Sequence, residues 1–352
     1  MTDDQMTARS LAAAGAENNP KIGILLSNLG TPDGHDYWSV RRYLSEFLSD
    51  RRVIDYPVWR WQPLLQGIIL SKRPFKTGEA YRKIWNNELN ESPFLTITKR
   101  QTKAVAATMA ERHGDRVVVD FCMRYGNPTP HSKVQAMVAA GCTRILSFPL
   151  YPQYASATTG TANDKVFRAI MAEKHPPAVR TVPEYFRHPL YIQALAASIQ
   201  RAYAALDHVP DKLVTTYHGV PKRLIADGDP YYQHCLGTTL LLRQKLGWEE
   251  EAIDVTFQSV FGPEEWLRPY TVEHVAELAR QGKKRIAIVA PVFSADCLET
   301  LEEIEEEIRD SFMAAGGERF TYIPCLNDEP GHIKALCAII EEELAGWLPP
   351  GT

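Results

Sequence analysis

From Lys21 onward, short apolar runs alternate with stretches whose apolar positions recur every three or four residues. The runs predict strands over Ile22–Asn28, Val117–Met123, Arg144–Phe148, Leu213–Tyr217, Val255–Val260, Arg285–Val289 and Phe320–Ile323. The periodic stretches predict helices that include His131–Ala140, Thr161–Glu173, Ile192–Ala205, Tyr231–Leu246, Val272–Gln281, Leu298–Ala315 and His332–Trp347. Strands alternating with helices of this length imply βαβ units and parallel sheets. The expected fold class is α/β, with two Rossmann-like domains, each a parallel β-sheet flanked by helices.

Four of the runs lead into related turns: Leu29-Gly30-Thr31-Pro32, Tyr125-Gly126-Asn127-Pro128, His218-Gly219-Val220-Pro221 and Phe261-Gly262-Pro263. Gly permits a sharp exit from a strand and Pro forbids its continuation. Open α/β folds bind ligands at the carboxyl ends of their strands. Leu29, Tyr125, His218 and Phe261 are therefore expected to face one shared cleft. Three of them are apolar or aromatic and one can accept a proton, which suits a large, flat, apolar ligand.

The run Ile286–Val289 continues through Ala290-Pro291-Val292-Phe293-Ser294-Ala295-Asp296-Cys297 into a glutamate-rich stretch. On an α-helix, Leu298, Leu301, Ile304, Ile308 and Phe312 share one face, and Glu299, Glu303 and Glu307 share the opposite one. Those glutamates read either as a solvated face or as hard oxygen ligands leading a divalent cation toward the strand end.

Composition removes several classes. Net charge is −4, from 39 Lys and Arg against 43 Asp and Glu, so a nucleic-acid partner relying on bulk positive charge is disfavoured. The six cysteines are scattered with no CxxC pair, which reads as reduced thiols in a cytoplasmic protein. No GxGxxG, GxxxxGK[ST] or GxSxG follows a strand, so nucleotide and acyl-transfer sites are disfavoured. No apolar stretch reaches the length of a membrane span. Tyr56–Lys76 is different: its tryptophans and aliphatic residues, bordered by Arg60, Lys72, Arg73 and Lys76, could lie in a membrane interface or pack on their own domain.

Several motifs occur in a fixed order. They are Asn28-Leu29-Gly30-Thr31-Pro32, Tyr81-Arg82-Lys83-Ile84-Trp85 with Glu91-Ser92-Pro93, and Met123-Arg124-Tyr125-Gly126. Tyr151-Pro152-Gln153-Tyr154, Tyr217-His218-Gly219-Val220-Pro221 and Asp227-Gly228-Asp229-Pro230-Tyr231 follow. Gln258-Ser259 before Trp266-Leu267, and Phe293 through Glu303, complete the series. From Lys21 to the last helix this pattern resembles the ferrochelatases, which insert Fe²⁺ into a porphyrin to make haem.

The resemblance implies an active site in the cleft between the two Rossmann-like domains. Residues 1–20, polar and Ala-rich, read as a disordered tail, and the resemblance implies domains over 21–185 and 186–328 with a C-terminal helix, 329–352, packing back on the first domain. His218 and Glu299 match the pair that handles metal and protons. Asp296, Glu303 and Glu307 would extend a polar path along an unusually wound helix. Leu29, Arg51, Arg52, Ser92, Tyr125, Tyr151, Phe261 and Trp266 would contact the porphyrin, the two arginines near its propionates. Protoporphyrin IX and Fe²⁺ are the implied partners, with iron a substrate and no prosthetic group. Peripheral contact with the inner membrane surface and an upstream haem-pathway oxidase are further expectations. Coproporphyrin III as substrate, another tetrapyrrole and metal, and a non-catalytic haem or porphyrin carrier remain alternatives.

Two departures stand out. Many relatives carry His where this chain has Cys297. Some relatives hold a [2Fe–2S] cluster on one mid-chain and three C-terminal cysteines; here the mid-chain position is Ser156 and no cysteine follows Cys337. A cluster needs four ligands, so none is expected.

Overall fold

The structure, a computed structural model, describes residues 21–260 and 262–348. The tail over 1–20 and Phe261 thus lie outside the described residues, as do the last four positions.

The first half runs β1 (Lys21–Thr31), α1 (Tyr37–Leu48), α2 (Val58–Leu64), α3 (Leu70–Ile84), α4 (Pro93–His113), β2 (Val117–Gly126), α5 (Pro130–Ala139), β3 (Cys142–Pro149), α6 (Thr161–Met171) and β4 (Ala178–Thr181). The second runs α7 (Pro189–Ala205), β5 (Lys212–His218), α8 (Lys222–Ala226), α9 (Tyr231–Leu246), β6 (Ile253–Gln258), α10 (Thr271–Arg280) and β7 (Arg285–Val289). A π-helix (Glu299–Ile308), α11 (Arg309–Ala314), β8 (Arg319–Ile323) and α12 (Pro330–Glu343) complete it. Shorter π segments cover Leu65–Ile69 and Ser156–Gly160.

The strands form two four-stranded parallel sheets, ordered β2-β1-β3-β4 and β6-β5-β7-β8. The same order in both halves bears out the two Rossmann-like units. Strands such as β1 and β7 are buried on both faces, as their unbroken apolar runs require. Strand β4 is a four-residue edge with exposed positions, too short and polar to announce itself in the sequence.

Three expectations need correction. The strand expected over Val255–Val260 is Ile253–Gln258, because Ser259 adopts φ 63° and breaks the extended chain. Strand β6 therefore ends at Gln258, before the expected Gly-Pro turn. The helix expected over Leu298–Ala315 is π-wound to Ile308, bonding i→i+5. Its buried line is Thr300, Ile304, Ile308 and then Phe312, while Leu298 and Leu301 are half-buried. The last helix ends at Glu343, short of Trp347, and Gly346 turns the chain at φ 77°. Trp347 then lies under Arg180, whose guanidinium sits 4.6 Å from its ring.

The principal core crosses both halves. Ile22 and Ile24 of β1 belong to the same buried cluster as Val289 of β7, Ile323 of β8, and Leu336 and Ile340 of α12. Helix α12 packs on both α4 and α7. Burying apolar surface is worth about 25 cal/mol per Å², so this shared cluster ties the two halves together.

Candidate active site

The second sheet delivers the reactive side chains at its carboxyl edge. His218 ends β5 and lies in register with Gln258, which ends β6. The Gln258 amide donates to the Glu299 carbonyl (2.8 Å) and reaches the Glu303 carboxylate (3.2 Å). Strand β7 supplies the third approach through Ala290–Leu298. π-Winding is rare and concentrates at functional sites, and here it occupies the segment bearing Glu299 and Glu303.

His218 is half-buried, with Nδ1 2.7 Å from the Gly219 carbonyl oxygen. A carbonyl can only accept, so Nδ1 carries a proton and Nε2 is the ring nitrogen left to accept one. Tyr231 donates to the His218 carbonyl at 2.8 Å. Trp266 packs over Gly219 so closely that a Cβ there would lie 3.1 Å from its ring. The Trp266 indole N–H is buried without a protein acceptor.

Glu303 accepts from the Ser259 backbone N–H (2.8 Å) and hydroxyl (2.5 Å). Burial pushes its carboxyl above the usual range and the Glu299 charge adds to this, while Ser259, His218 and Gln258 oppose it. The charge of Glu299 also acts on three tyrosines of the first half. Burial raises the phenols of Tyr43, Tyr81 and Tyr151, and Glu299 raises each further. The π-helix that bears Glu299 packs against α3, which carries Tyr81. Glu307 is exposed, and Lys83 of α3 pairs with Glu306 and lies 3.7 Å from Glu302. The expected file of three glutamates is therefore one cleft residue, one anchored residue and one at the surface.

Asp296 is 6% exposed, and four protein donors reach its carboxylate. The buried Cys297 thiol beside Glu299 is pushed well above its ordinary pKa, chiefly by desolvation. It is a neutral group at this position, where an imidazole could exchange a proton.

The porphyrin candidates divide. Trp266 bridges to Pro221 just after His218, Leu29 lies near the carboxyl end of β1, and Tyr151 follows the carboxyl end of β3. Tyr151 is buried with a hydroxyl lacking any protein partner. Tyr125 is fully buried and donates to Asp50 at 2.8 Å; Gly30 allows this, since a Cβ there would meet the Tyr125 carbonyl at 1.8 Å. Ser92 is buried and caps α4, accepting from Leu95 N–H at 3.2 Å. Arg52 forks onto Asp164 at 2.6 and 3.1 Å. Arg51 lines an open depression of about 690 Å³ with Arg41, Arg42 and Arg168.

Residues without an assigned role in the sequence reading also shape the site. Tyr43, Tyr81, Gln258 and Ser259 do so as above. Arg124 is 2% exposed and donates to the Ala157 and Thr158 carbonyls at 2.6 and 3.0 Å. Except for Tyr43, all lie inside the ordered motifs, which was their only signal. Among the described residues, no three His, Cys, Asp or Glu side chains converge on a preformed metal cage.

The ferrochelatase family model matches residues 21–344. The Rhodobacter capsulatus ferrochelatase is 63% identical over 330 residues, covering 94% of each chain. That of Chelativorans sp. is 52% identical over 327 residues, covering 93% of this chain and 92% of its own. In architecture the chain resembles SirB from Bacillus subtilis with Fe³⁺, at TM-score 0.54 and 15% identity, covering 93% of this chain and 97% of that one. A cobalt complex of the sirohydrochlorin chelatase SirB gives TM-score 0.52 at 12% identity, covering 92% and 95%. These structures share the two-sheet fold, and the sequence matches are far closer. With His218 and Glu299 at the cleft edge of that fold, the chain belongs to the ferrochelatase family.

Proposed function

We infer that this chain inserts Fe²⁺ into protoporphyrin IX to form protohaem, with His218 and Glu299 acting on the metal and the pyrrole protons. The observation that carries the assignment of roles is the His218 Nδ1 contact to the Gly219 carbonyl, which keeps Nε2 free to accept. The protein is an enzyme of the lyase class, and iron is its substrate.

Insertion releases two pyrrole protons as two nitrogen–metal bonds replace N–H bonds, while Fe²⁺ sheds water. Nε2 of His218 accepts one of these protons. The Glu299 carboxylate offers hard oxygen contacts that exchange with the waters of the ion. Glu303, held by Ser259 next to both, is the following acceptor, and the exposed Glu307 leads to solvent. Trp266 and Tyr151 grip the ring, with Leu29 beside them. Apolar contact elsewhere supplies the few kcal/mol of strain that buckling the ring costs.

Peripheral membrane contact is proposed for α2, the π segment and α3. Trp59 is 71%, Phe75 63% and Ile68 60% exposed, so most of each side chain faces away from the domain, although the Phe75 ring lies 4.8 Å, centroid to centroid, from that of Tyr37. No described helix is long and apolar enough to cross a membrane. The cytoplasmic face of the inner membrane, and the upstream haem-pathway oxidase that yields protoporphyrin, are the proposed setting.

Incubation of the purified protein with Fe²⁺ and protoporphyrin IX, coproporphyrin III or sirohydrochlorin, followed by visible bands, tests the substrate. Fastest turnover on protoporphyrin IX is expected, and a clear preference for either other tetrapyrrole would overturn the assignment.

A further inference from the structure

Resting on the role given to Glu299, we propose that Asp296 and Asn327 form a two-point clasp that positions Glu299, with Asp296 a positioning residue and no stop on a polar path. The Asp296 N–H donates to Asn327 Oδ1 at 2.8 Å, and Asn327 Nδ2 donates to Asp296 Oδ2 at 2.7 Å. The two residues thereby close a ring between the exit of β7 and the loop after β8. Asn327 sits at φ 47°, a left-handed conformation that Asn tolerates better than most side chains.

The other Asp296 oxygen is equally committed. Oδ1 accepts from Cys325 N–H at 3.1 Å, from the Thr300 hydroxyl at 3.2 Å, and from the Tyr322 hydroxyl. The Thr300 hydroxyl accepts in turn from Cys297 N–H at 3.0 Å. Glu299 lies inside this loop of bonds, between Asp296 and Thr300, and Gln258 holds its carbonyl from the opposite side. Gln101 of α4 donates to the carbonyls of Asn327 (3.0 Å) and Ser294 (2.8 Å), so the first half of the molecule fixes the same clasp.

A carboxylate passing an ion or proton along a path needs an oxygen free to exchange partners. That of Asp296 is buried and bound by four donors, an arrangement that orients the chain and resists exchange. Its effect on chemistry passes through the geometry of Glu299, where small displacements of a reacting group cost large factors in rate.

The test is a polarity swap. Asp296→Asn sets two amide groups against each other across the 2.7 Å contact, and Asn327→Asp sets two carboxylates there. Each is expected to lower kcat by about 10–100-fold with little change in KM for protoporphyrin IX. Combining the two restores a donor facing an acceptor and leaves an oxygen for the Asp296 N–H bond. The double variant is expected to regain kcat to within about threefold of the parent, and the parent melting temperature with it.

A double variant that melts like the parent yet turns over no faster than Asp296→Asn would show that the charge at 296 is itself required, which overturns the proposal. Parent-like kcat in Asp296→Asn alone also overturns it. If the swapped chain does not fold, Thr300→Val against Thr300→Ser decides: only the first removes the hydroxyl, so only the first is expected to lose kcat, and equal rates reject the clasp. Glu299→Gln is run beside these. Full activity in that variant would sink the role of Glu299, a failure distinct from that of the clasp.

Discussion

Ser259 grips Glu303 with two donors, its backbone N–H at 2.8 Å and its hydroxyl at 2.5 Å, from a left-handed backbone at φ 63°. Non-glycine residues rarely adopt that conformation, which costs of order 1–3 kcal/mol and concentrates at functional sites. The strain ends β6 and aims both donors at the half-buried Glu303 carboxylate, which the Gln258 amide also reaches at 3.2 Å.

Ser259→Ala should separate these effects. It removes the hydroxyl, a group that favours the charged form of Glu303, and keeps the strained backbone. The Glu303 carboxyl is then expected to rise further, so the acid limb of the kcat profile shifts to higher pH. An acid limb identical to that of the parent would remove Glu303 from the proton route.

The raised carboxyl of Glu303 also carries a stability signature. The folded protein holds this proton more tightly than the unfolded chain does. Its contribution to stability is therefore favourable at low pH and is lost as pH climbs from the unfolded value through the folded one. Glu303→Gln is expected to melt higher relative to the parent at neutral pH than at about pH 4.5. Melts of both proteins across that range give the comparison, and a difference independent of pH would count against the raised carboxyl.

For the proton acceptor, His218→Ala should cut kcat by at least about 100-fold while leaving porphyrin affinity near the parent value, since apolar contact holds the ring. Porphyrin fluorescence titration beside initial rates provides the split. Retention of most activity would exclude Nε2 as the acceptor.

Arg52 offers a sharper choice. If its fork onto Asp164 is its whole role, Arg52→Ala should cost no more than about 1 kcal/mol in an exposed pair and leave KM for the porphyrin unchanged. A rise in that KM, reduced when propionate esters replace the acids, would instead tie Arg52 to the propionates.

The thiol chemistry can be checked directly. Purified protein is expected to contain no acid-labile sulfide, because a cluster needs four ligands and, among the described residues, no three His, Cys, Asp or Glu side chains converge. Stoichiometric sulfide would contradict that expectation.

Much of this architecture was legible because parallel strands buried on both faces must be written as apolar runs. His218 was legible too, since a strand, a Gly and a Pro mark a carboxyl end. What escaped was local and conformational. A π-helix and an α-helix use the same residues, and periodicity does not distinguish them over ten positions, so the burial of Thr300 in place of Leu301 was hidden. The left-handed turn at Ser259 carries no glycine to announce it, so the residue pattern runs on two positions past the true end of the strand. Tyr125 could be placed at a strand end, but its burial depends on Asp50 and Phe47, which arrive from another segment.

The shared core has a consequence for synthesis. Strand β1 opens the buried cluster and α12 closes it, with nearly three hundred residues, 32–329, between them. A nascent chain therefore has its first sheet translated long before the surface that covers it exists. While the second half is still inside the ribosome, Ile22, Ile24 and the inner face of α4 remain without their final neighbours. That interval, set by the rate of translation, is when a growing chain of this topology most needs a chaperone.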